Sequence, residues 1–406
     1  MAPKGVRELR KQQHIDDGVD DRAAKVQRVV HVGSTSHRAL VEIMGGVNEG
    51  VSRAYTSDVA HARFATACTS LEMPTLDGGR LRWDMLKPDA LVNRLASESP
   101  LLSDWLRAAL AIHPCTAEQP WRLLVGWDEF VPGNKLAAQH SRKVMNLHFS
   151  FEELGPALNM DDAWFTPVAV RSRVIQEVQG SWSAMLKEFL KVLLFSPGGF
   201  QTREGAAVQL ADGTVVVIYA RISRLLSDGD GLRLAMQWKG AACTKPCWRH
   251  SNVFRKGSDL VQHFGDGRYV EVGCGDPSKF NCWSEADLRE IVDYLSNAYQ
   301  SVADGRMTKK RLEELQKCYG FAITPDGLLV DGSLRGAFNI TEAFRYDWVH
   351  AFLANGLVTP DLWALVSKAE TLRICSQSQL SEYLKDGWQT PRHSRRKGTR
   401  AKLHAV

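Results

Sequence analysis

The chain has 406 residues, 44% apolar and 24% charged, with 12 Trp, 15 Phe and 8 Tyr, ample material for a packed core, which excludes a wholly disordered chain. Lys and Arg total 51 against 46 Asp and Glu, a net +5 that is too small to establish a polyanionic partner by itself. At about 100–200 residues per domain, the length implies two or three domains, or one large domain with an insertion.

The longest apolar runs, such as LLVGW and TVVVIYA, fall far short of the roughly 20 residues that span a bilayer. The start, MAPKGVRELRKQQHIDDGVDD, is charged and has no apolar segment of the secretory kind. An intracellular protein without membrane contact is therefore expected. The 8 cysteines do not form a disulfide scaffold in a chain this long. Cys243, Cys247, Cys274 and Cys282 crowd together and need an account of their own.

Residues 1–35 read as a polar, basic, disordered tail. Residues 36–115 read as a helical region: HRALVEIMGGVNEGV, SDVAHARFATAC, KPDALVNRLAS and LLSDWLRAALAI all space apolar residues by three to four, with N-caps near Asp58 and Ser103. From Trp121 the pattern changes. WRLLVGWDEF is apolar on both faces, as in a strand buried inside a sheet, and VPGN follows as a turn. KVMNLHFSFEEL and AWFTPVAVRSRVI read as two further strands. WSAMLKEFLKVLLF has helical spacing and stops at Gly198-Gly199. A hairpin turn at Asp212-Gly213 leaves TVVVIYARI as a second buried strand, and LRLAMQW is a short helix.

Three strands joined by short connections, a helix, a strand and a helix make an α/β (α+β) arrangement. The first three strands form an antiparallel meander, and the helix returns the fourth strand parallel to the first in the right-handed sense. That is the order of an RNase H-like mixed sheet, assigned to residues 116–240. Residues 241–330 form a Cys/His-containing, largely helical insertion, 331–390 a C-terminal helical part, and 391–406 a second basic tail. Such ends can contact phosphates through charge alone or remain solvated.

Asp128 closes an otherwise apolar strand, and a carboxylate there must be paired, metal-bound or at an open edge, because burying it alone is costly. Asp228 lies just past the fourth strand. If the first and fourth strands run parallel as neighbours, both carboxylates emerge at one end of the sheet. Two carboxylates are the minimal cage for Mg²⁺ or Mn²⁺, hard ions that prefer oxygen and that support in-line phosphoryl displacement. Other roles stay open: Asp128 as a turn cap, Asp228 as a helix N-cap, with Glu129 and Asp230 as close alternatives. Cys247-x-x-His250 lets two side chains reach one ion, and Cys274 and Cys282 would complete a tetrahedral Zn²⁺ site. The alternative is a set of unmetallated thiols. Asp347-x-x-His350 falls at i, i+3 on one face of an expected helix.

The succession GWDEFVPGNKL, LLSDGDGLRLAMQWKG, TKPCWRH and DWVHAFLANG resembles transposase-like proteins of the CACTA, Plavaka and KDZ group, over roughly residues 60–390. The resemblance implies an RNase H-like DDE core that hydrolyses DNA phosphodiesters and transfers strands, a DNA partner, a nuclear location and action as a homo-oligomer. By position it makes Asp128 the first catalytic acid and Asp228 the second. Cys247 and His250 fall in the Cys/His element, and Asp347 and His350 in the D-x-x-H motif that orients the site. The family pattern also has a third acid beyond that motif. Here only Asp361, Glu370, Glu382 and Asp386 follow His350, none in that context, so a truncated, catalytically impaired copy is expected. The competing expectation is a noncatalytic DNA-binding module that keeps the fold.

Overall fold

The computed structural model describes residues 66–130, 143–259, 261, 268–347 and 358–379 apart from 373, 375 and 377. The expectations for the two tails, Asp58, the VPGN turn and His350 lie outside the described residues. The chain divides into two compact units, Met1–Arg345 and Tyr346–Val406. Among the described residues no helix is long and apolar enough to cross a membrane.

The first described elements correct the helical reading of residues 68–86. CTSLEMP and RLRWDML form the antiparallel strands β1 (Cys68–Pro74) and β2 (Arg80–Leu86). Their apolar residues alternate with polar ones, so Met73, Trp83 and Met85 are buried while Glu72, Arg80, Arg82 and Asp84 face outward. That is period two, not period 3.6. The turn between them needs Gly78 at φ 84°, a region that only glycine enters freely.

The next two helices match expectation: α1 (Pro88–Glu98) and α2 (Pro100–Ile112), each opened by a proline whose missing N–H costs nothing at that position. The cap of α2 is Ser99, whose side chain accepts from Leu102 N. Ser103 lies a turn inside instead. It is buried, donates to Ala96 O at 2.7 Å and accepts from Ala211 N at 2.8 Å.

Strand β3 (Trp121–Phe130) pairs antiparallel with β4 (Val144–Phe151), which pairs antiparallel with β5 (Phe165–Arg171). The short helix α3 (Ser172–Glu177) and the 15-residue α4 (Ser181–Phe195) follow. Residues 206–218 then depart from expectation. The turn at Gly213 (φ 87°) closes a separate hairpin of β6 (Ala206–Gln209) and β7 (Val215–Ile218). Val215 and Val217 are 61% and 39% exposed there, so VVVI is not the buried strand its apolar content suggests. The sheet strand is the next one, β8 (Ala220–Ser227), and it lies parallel to β3. Helix α5 (Gly229–Met236) follows directly.

Beyond it come the two-residue parallel pair β9 (Val253–Phe254) and β10 (Val270–Glu271), then α6 (Glu285–Ala303) and α7 (Lys309–Tyr319). Ser284 caps α6, accepting from Asp287 N. The four-residue α8 (Ile340–Ala343) leads at once into β11 (Phe344–Tyr346). In the second unit the described helix is α9 (Val358–Thr371). The main sheet has five strands in the order β11-β8-β3-β4-β5. It is a mixed sheet in an α+β chain, with the expected meander and parallel return.

One face of that sheet carries Trp121, Leu123, Val125 and Trp127 from β3 and Leu147, Phe149 and Phe151 from β4, all buried. Helix α4 packs there through Trp182, whose ring lies 6.4 Å from that of Trp127. Phe149 touches the rings of Phe151, Phe165 and Phe200 at 6.2, 5.1 and 6.0 Å. This aromatic cluster locks the meander to the helical layer. Phe149→Ala is expected to cost about 3–5 kcal/mol of unfolding free energy, measurable by urea titration. A loss under about 1 kcal/mol would contradict the packing described.

Candidate active site

The pairing of β3 with β8 sets Leu123 beside Ile222, then, after an extra residue at Ser223, Leu124 beside Arg224, Val125 beside Leu225 and Gly126 beside Leu226. The paired register ends at Gly126 and Leu226. Two positions further along each chain come Asp128 and Asp228, and between them Ser227 donates its Oγ–H to Trp127 O at 2.8 Å. Both carboxylates therefore leave the sheet at the C-terminal ends of neighbouring parallel strands. Asp128 alternates with Gly126 and Leu124, opposite to buried Val125 and Trp127. Asp228 lies one residue past β8, and its Oδ1 turns to the first turn of α5, on the side where Ser227 Oγ and Trp127 Nε1 lie.

Asp228 also caps α5, accepting from Gly231 N at 2.6 Å through Oδ1. The cap and the sheet-rim position coexist, so the two roles considered for this residue are not exclusive. Gly231 is required by close approach: a Cβ there would lie 1.9 Å from Ser227 Oγ and 2.9 Å from Trp127 Nε1. Asp128 is exposed and Asp228 half-buried. The neighbouring acids do other work. Glu129 points to the opposite side of β3, where Lys143 pairs with it at 2.5 Å and Ser172 donates to it. Asp230 is exposed and pairs with Arg233 at 3.2 Å.

The face of β3 that carries Asp128 continues onto β4 as a polar band that sequence reading passed over. Asn146 stands opposite Asp128 and His148 opposite Gly126. Asn146 is buried, and among the described residues its Oδ1 has no hydrogen-bond donor. His148 Nδ1 meets Thr166 Oγ1 at 2.9 Å, and burial pushes its pKa down to about 4. The ring is neutral at pH 7. The detectable signal was VMNLHFSF itself, where Asn, His and Ser occupy every second position between buried apolar residues.

Along β8 toward its start, the face turns cationic. Arg224 lies four residues before Asp228, about 13 Å at strand rise. Arg345 sits on the neighbouring strand β11, and Arg249 follows Trp248, whose ring packs against Phe344 at 6.3 Å. Burial first, then the nearby Arg249 and Arg224, lowers the pKa of Arg345, and Glu342 acts in the opposite sense. Three guanidinium groups thus gather beside β8, and guanidinium keeps its charge. The sequence gives no local sign of this, because the three lie on separate elements.

The Cys/His region assembles only in part. Cys247 Sγ and His250 Nδ1 meet at 3.2 Å, and the backbone of His250 pairs with that of Cys282 in an isolated antiparallel bridge. Cys282 is exposed, and Cys274 approaches Asp276 O at 3.9 Å. Cys243 stands apart, buried and donating to Gly240 O. Among the described residues no group of three or more His, Cys, Asp or Glu side chains is gathered as a metal site. So a tetrahedral Zn²⁺ set is not pre-formed there. The two carboxylates at the sheet rim fit a hard cation by donor type.

Asp347 follows β11 directly and is not helical, which corrects the expected helix face for the D-x-x-H pair. It belongs to the second unit. No family model matches the chain, and no curated protein is significantly similar to it.

Asn is as good an N-cap as Asp, whereas Ala is not. Asp228→Asn is expected to keep stability within about 0.5 kcal/mol, and Asp228→Ala to lose about 1 kcal/mol, as read by chemical unfolding. Equal losses would contradict the cap. His148 supplies a pH test. Its folded pKa is depressed from 6.5 to about 4, so the unfolded chain takes up a proton that the folded chain refuses. Its contribution is fully present above pH 6.5 and is lost as pH falls toward 4. His148→Gln should flatten that part of the stability–pH curve. An unchanged slope would contradict the buried neutral ring.

Proposed function

We propose that the chain is an RNase H-like, transposase-derived protein that acts on DNA phosphodiesters. What supports this reading is the place of Asp128 and Asp228 near the C-terminal ends of the neighbouring parallel strands β3 and β8. The strand order β11-β8-β3-β4-β5 supports the fold assignment, because an antiparallel meander flanked by a parallel fourth strand is what such a core requires. The motifs GWDEFVPGNKL and LLSDGDGLRLAMQWKG carry the two acids at these positions.

Asp128 and Asp228 would hold Mg²⁺ or Mn²⁺, which when bound supplies Lewis acidity and a water-derived nucleophile for in-line displacement at phosphorus. The chain's own residues do the rest. Arg224, Arg249 and Arg345 offer charge-assisted donors to phosphate oxygens. On one DNA strand the phosphates recur roughly every 3.4 Å of helix axis, so a strand held at Arg224 reaches the acid pair about four nucleotides later. The α5 cap fixes Asp228 in place, and Gly231 lets that helix start close against Trp127. Cys247 and His250, 3.2 Å apart, would be the two residues to hold a structural Zn²⁺.

A second reading, a DNA-binding module without catalysis, is favoured by one observation: among the described residues the two acids have no third carboxylate beside them. Incubating the full chain with supercoiled plasmid and Mn²⁺ separates the two. A site with two acids is expected to nick weakly or not at all, and any Mn²⁺-dependent nicking is expected to be abolished by Asp128→Asn and by Asp228→Asn. Asp228→Asn is the sharper variant, because the helix cap survives. Wild-type nicking in both variants contradicts the acid roles. Absent nicking with DNA binding that persists in EDTA and weakens steeply with salt would select the noncatalytic reading.

A further inference from the structure

The extra residue at Ser223 re-aims an arginine. Arg221 pairs with Arg122 and Ile222 with Leu123, but Leu124 then pairs with Arg224 and not with Ser223. Arg122 and Leu124 lie on one face of β3, so the bulge turns Arg224 onto the face of Arg221. In a regular strand Arg224 would point to the side of buried Ile222, and redirecting a side chain is what bulges do. Arg122, Arg221 and Arg224 line one cavity of about 410 Å³, together with Gln201, Asn339 and Glu342. That volume falls within the range of small-ligand sites.

The charges around this cavity are not balanced. Arg122 is taken up by Glu152 and Glu153, each at 3.0 Å. Arg224 donates to Ser223 O at 2.9 Å, and half-buried Arg345 donates to the carbonyls of Thr341 and Phe344, each at 2.9 Å. Among the described residues, none of Arg221, Arg224, Arg249 and Arg345 forms an ion pair. Glu342 is the one acid among the lining residues. Guanidinium does not shed its proton, so like charges gathered here repel one another. A bound anion converts that repulsion into attraction.

The lining residues also decide which anion fits. Guanidinium forks match phosphate oxygens in bidentate geometry. The aromatic residue of the lining, Phe338, is 7% exposed and packs edge-on against Phe344 at 5.9 Å. It leaves no free ring face for a nucleobase, so recognition rests on phosphate. A terminal phosphate carries about −1.5 to −2 charges at pH 7, more than a phosphodiester inside a strand, and so suits several unpaired guanidinium groups.

We propose that this cavity binds a terminal phosphate group, a phosphate monoester held by Arg221 and Arg224, with Arg249 and Arg345 adding positive potential beside them. The phosphate belongs either to the end of a DNA strand or to a free mononucleotide. The first source rests on the DNA reading above. The site itself needs neither Asp128 nor Asp228.

Calorimetric titration of the full chain in EDTA with AMP, CMP and adenosine tests this. AMP and CMP are expected to bind alike and adenosine not to bind. Arg221→Gln and Arg224→Gln are each expected to weaken AMP binding about tenfold or more. Arg224→Gln should leave the ligand-free melting temperature unchanged or raised, because it relieves like-charge repulsion. Asp128→Asn should bind AMP as the native chain does, so lost nicking with retained AMP binding removes the acid pair and leaves this site standing. Single strands with and without a 5′-phosphate separate the two sources. At least about tenfold preference for the phosphorylated strand assigns the site to strand ends, and equal binding of the two strands with AMP bound assigns it to free mononucleotides. Absent AMP binding with no preference for the phosphorylated strand overturns the proposal, as does native AMP affinity in both arginine variants. Should Arg224→Gln fail to fold, Arg221→Gln, at an exposed position, decides alone.

Discussion

The parallel pairing of β3 with β8 is the constraint on which the rest depends. Parallel neighbours end at the same rim of a sheet, whereas antiparallel neighbours end at opposite rims. A chain that places one carboxylate at the end of each therefore brings them together without any further device. Asp128 and Asp228 are a hundred positions apart in sequence, and the ladder from Trp121 and Ala220 up to Gly126 and Leu226 carries both to one level. The extra residue at Ser223 matters here. Without it, the two strands would run one position out of step, and Asp228 would fall level with Glu129 instead.

The two faces of the sheet divide the labour. One is an aromatic layer, with Phe149, Phe151, Phe165 and Phe200 in mutual ring contact and α4 packed over Trp127. It holds the strands in register. The other carries Asp128, Asn146, His148, Ser150 and Arg224, a row of polar groups on strands whose alternate residues are wholly buried. Half-buried polar groups of this kind cost stability unless they are satisfied or used. His148 is held neutral, and Ser150 donates to Ala163 O at 2.6 Å. Asn146 is left with an orphaned oxygen. A site built on rigid strands rather than on loops holds its donors in fixed relation, which suits cation chemistry.

Much of the core was legible from pattern alone. WRLLVGWDEF is β3 end to end, KVMNLHFSF contains β4, and WSAMLKEFLKVLLF is α4, because each has a run long enough for its period to show. The failures have physical causes. Residues 68–86 lie between two segments of helical spacing, SDVAHARFATAC and KPDALVNRLAS, and their own alternation of two is masked by those neighbours. VVVI looked like core, yet it sits in a hairpin whose outward valines are exposed. The strand that does enter the sheet, ARISRLLS, alternates with arginines and reads as amphipathic. ITEAFRYD looked helical, but its helix lasts only from Ile340 to Ala343 before β11 begins. The two acids were found from their place at strand ends. Asn146 and the arginine cluster were not, since their meaning lies in which strands become neighbours.

The central claim is that Asp128 and Asp228 face one shared cation. Anomalous diffraction from crystals of the full chain grown with Mn²⁺ tests it most directly. The account predicts a single manganese peak within coordination distance of both carboxylates. Manganese bound elsewhere, with this rim empty, would contradict it.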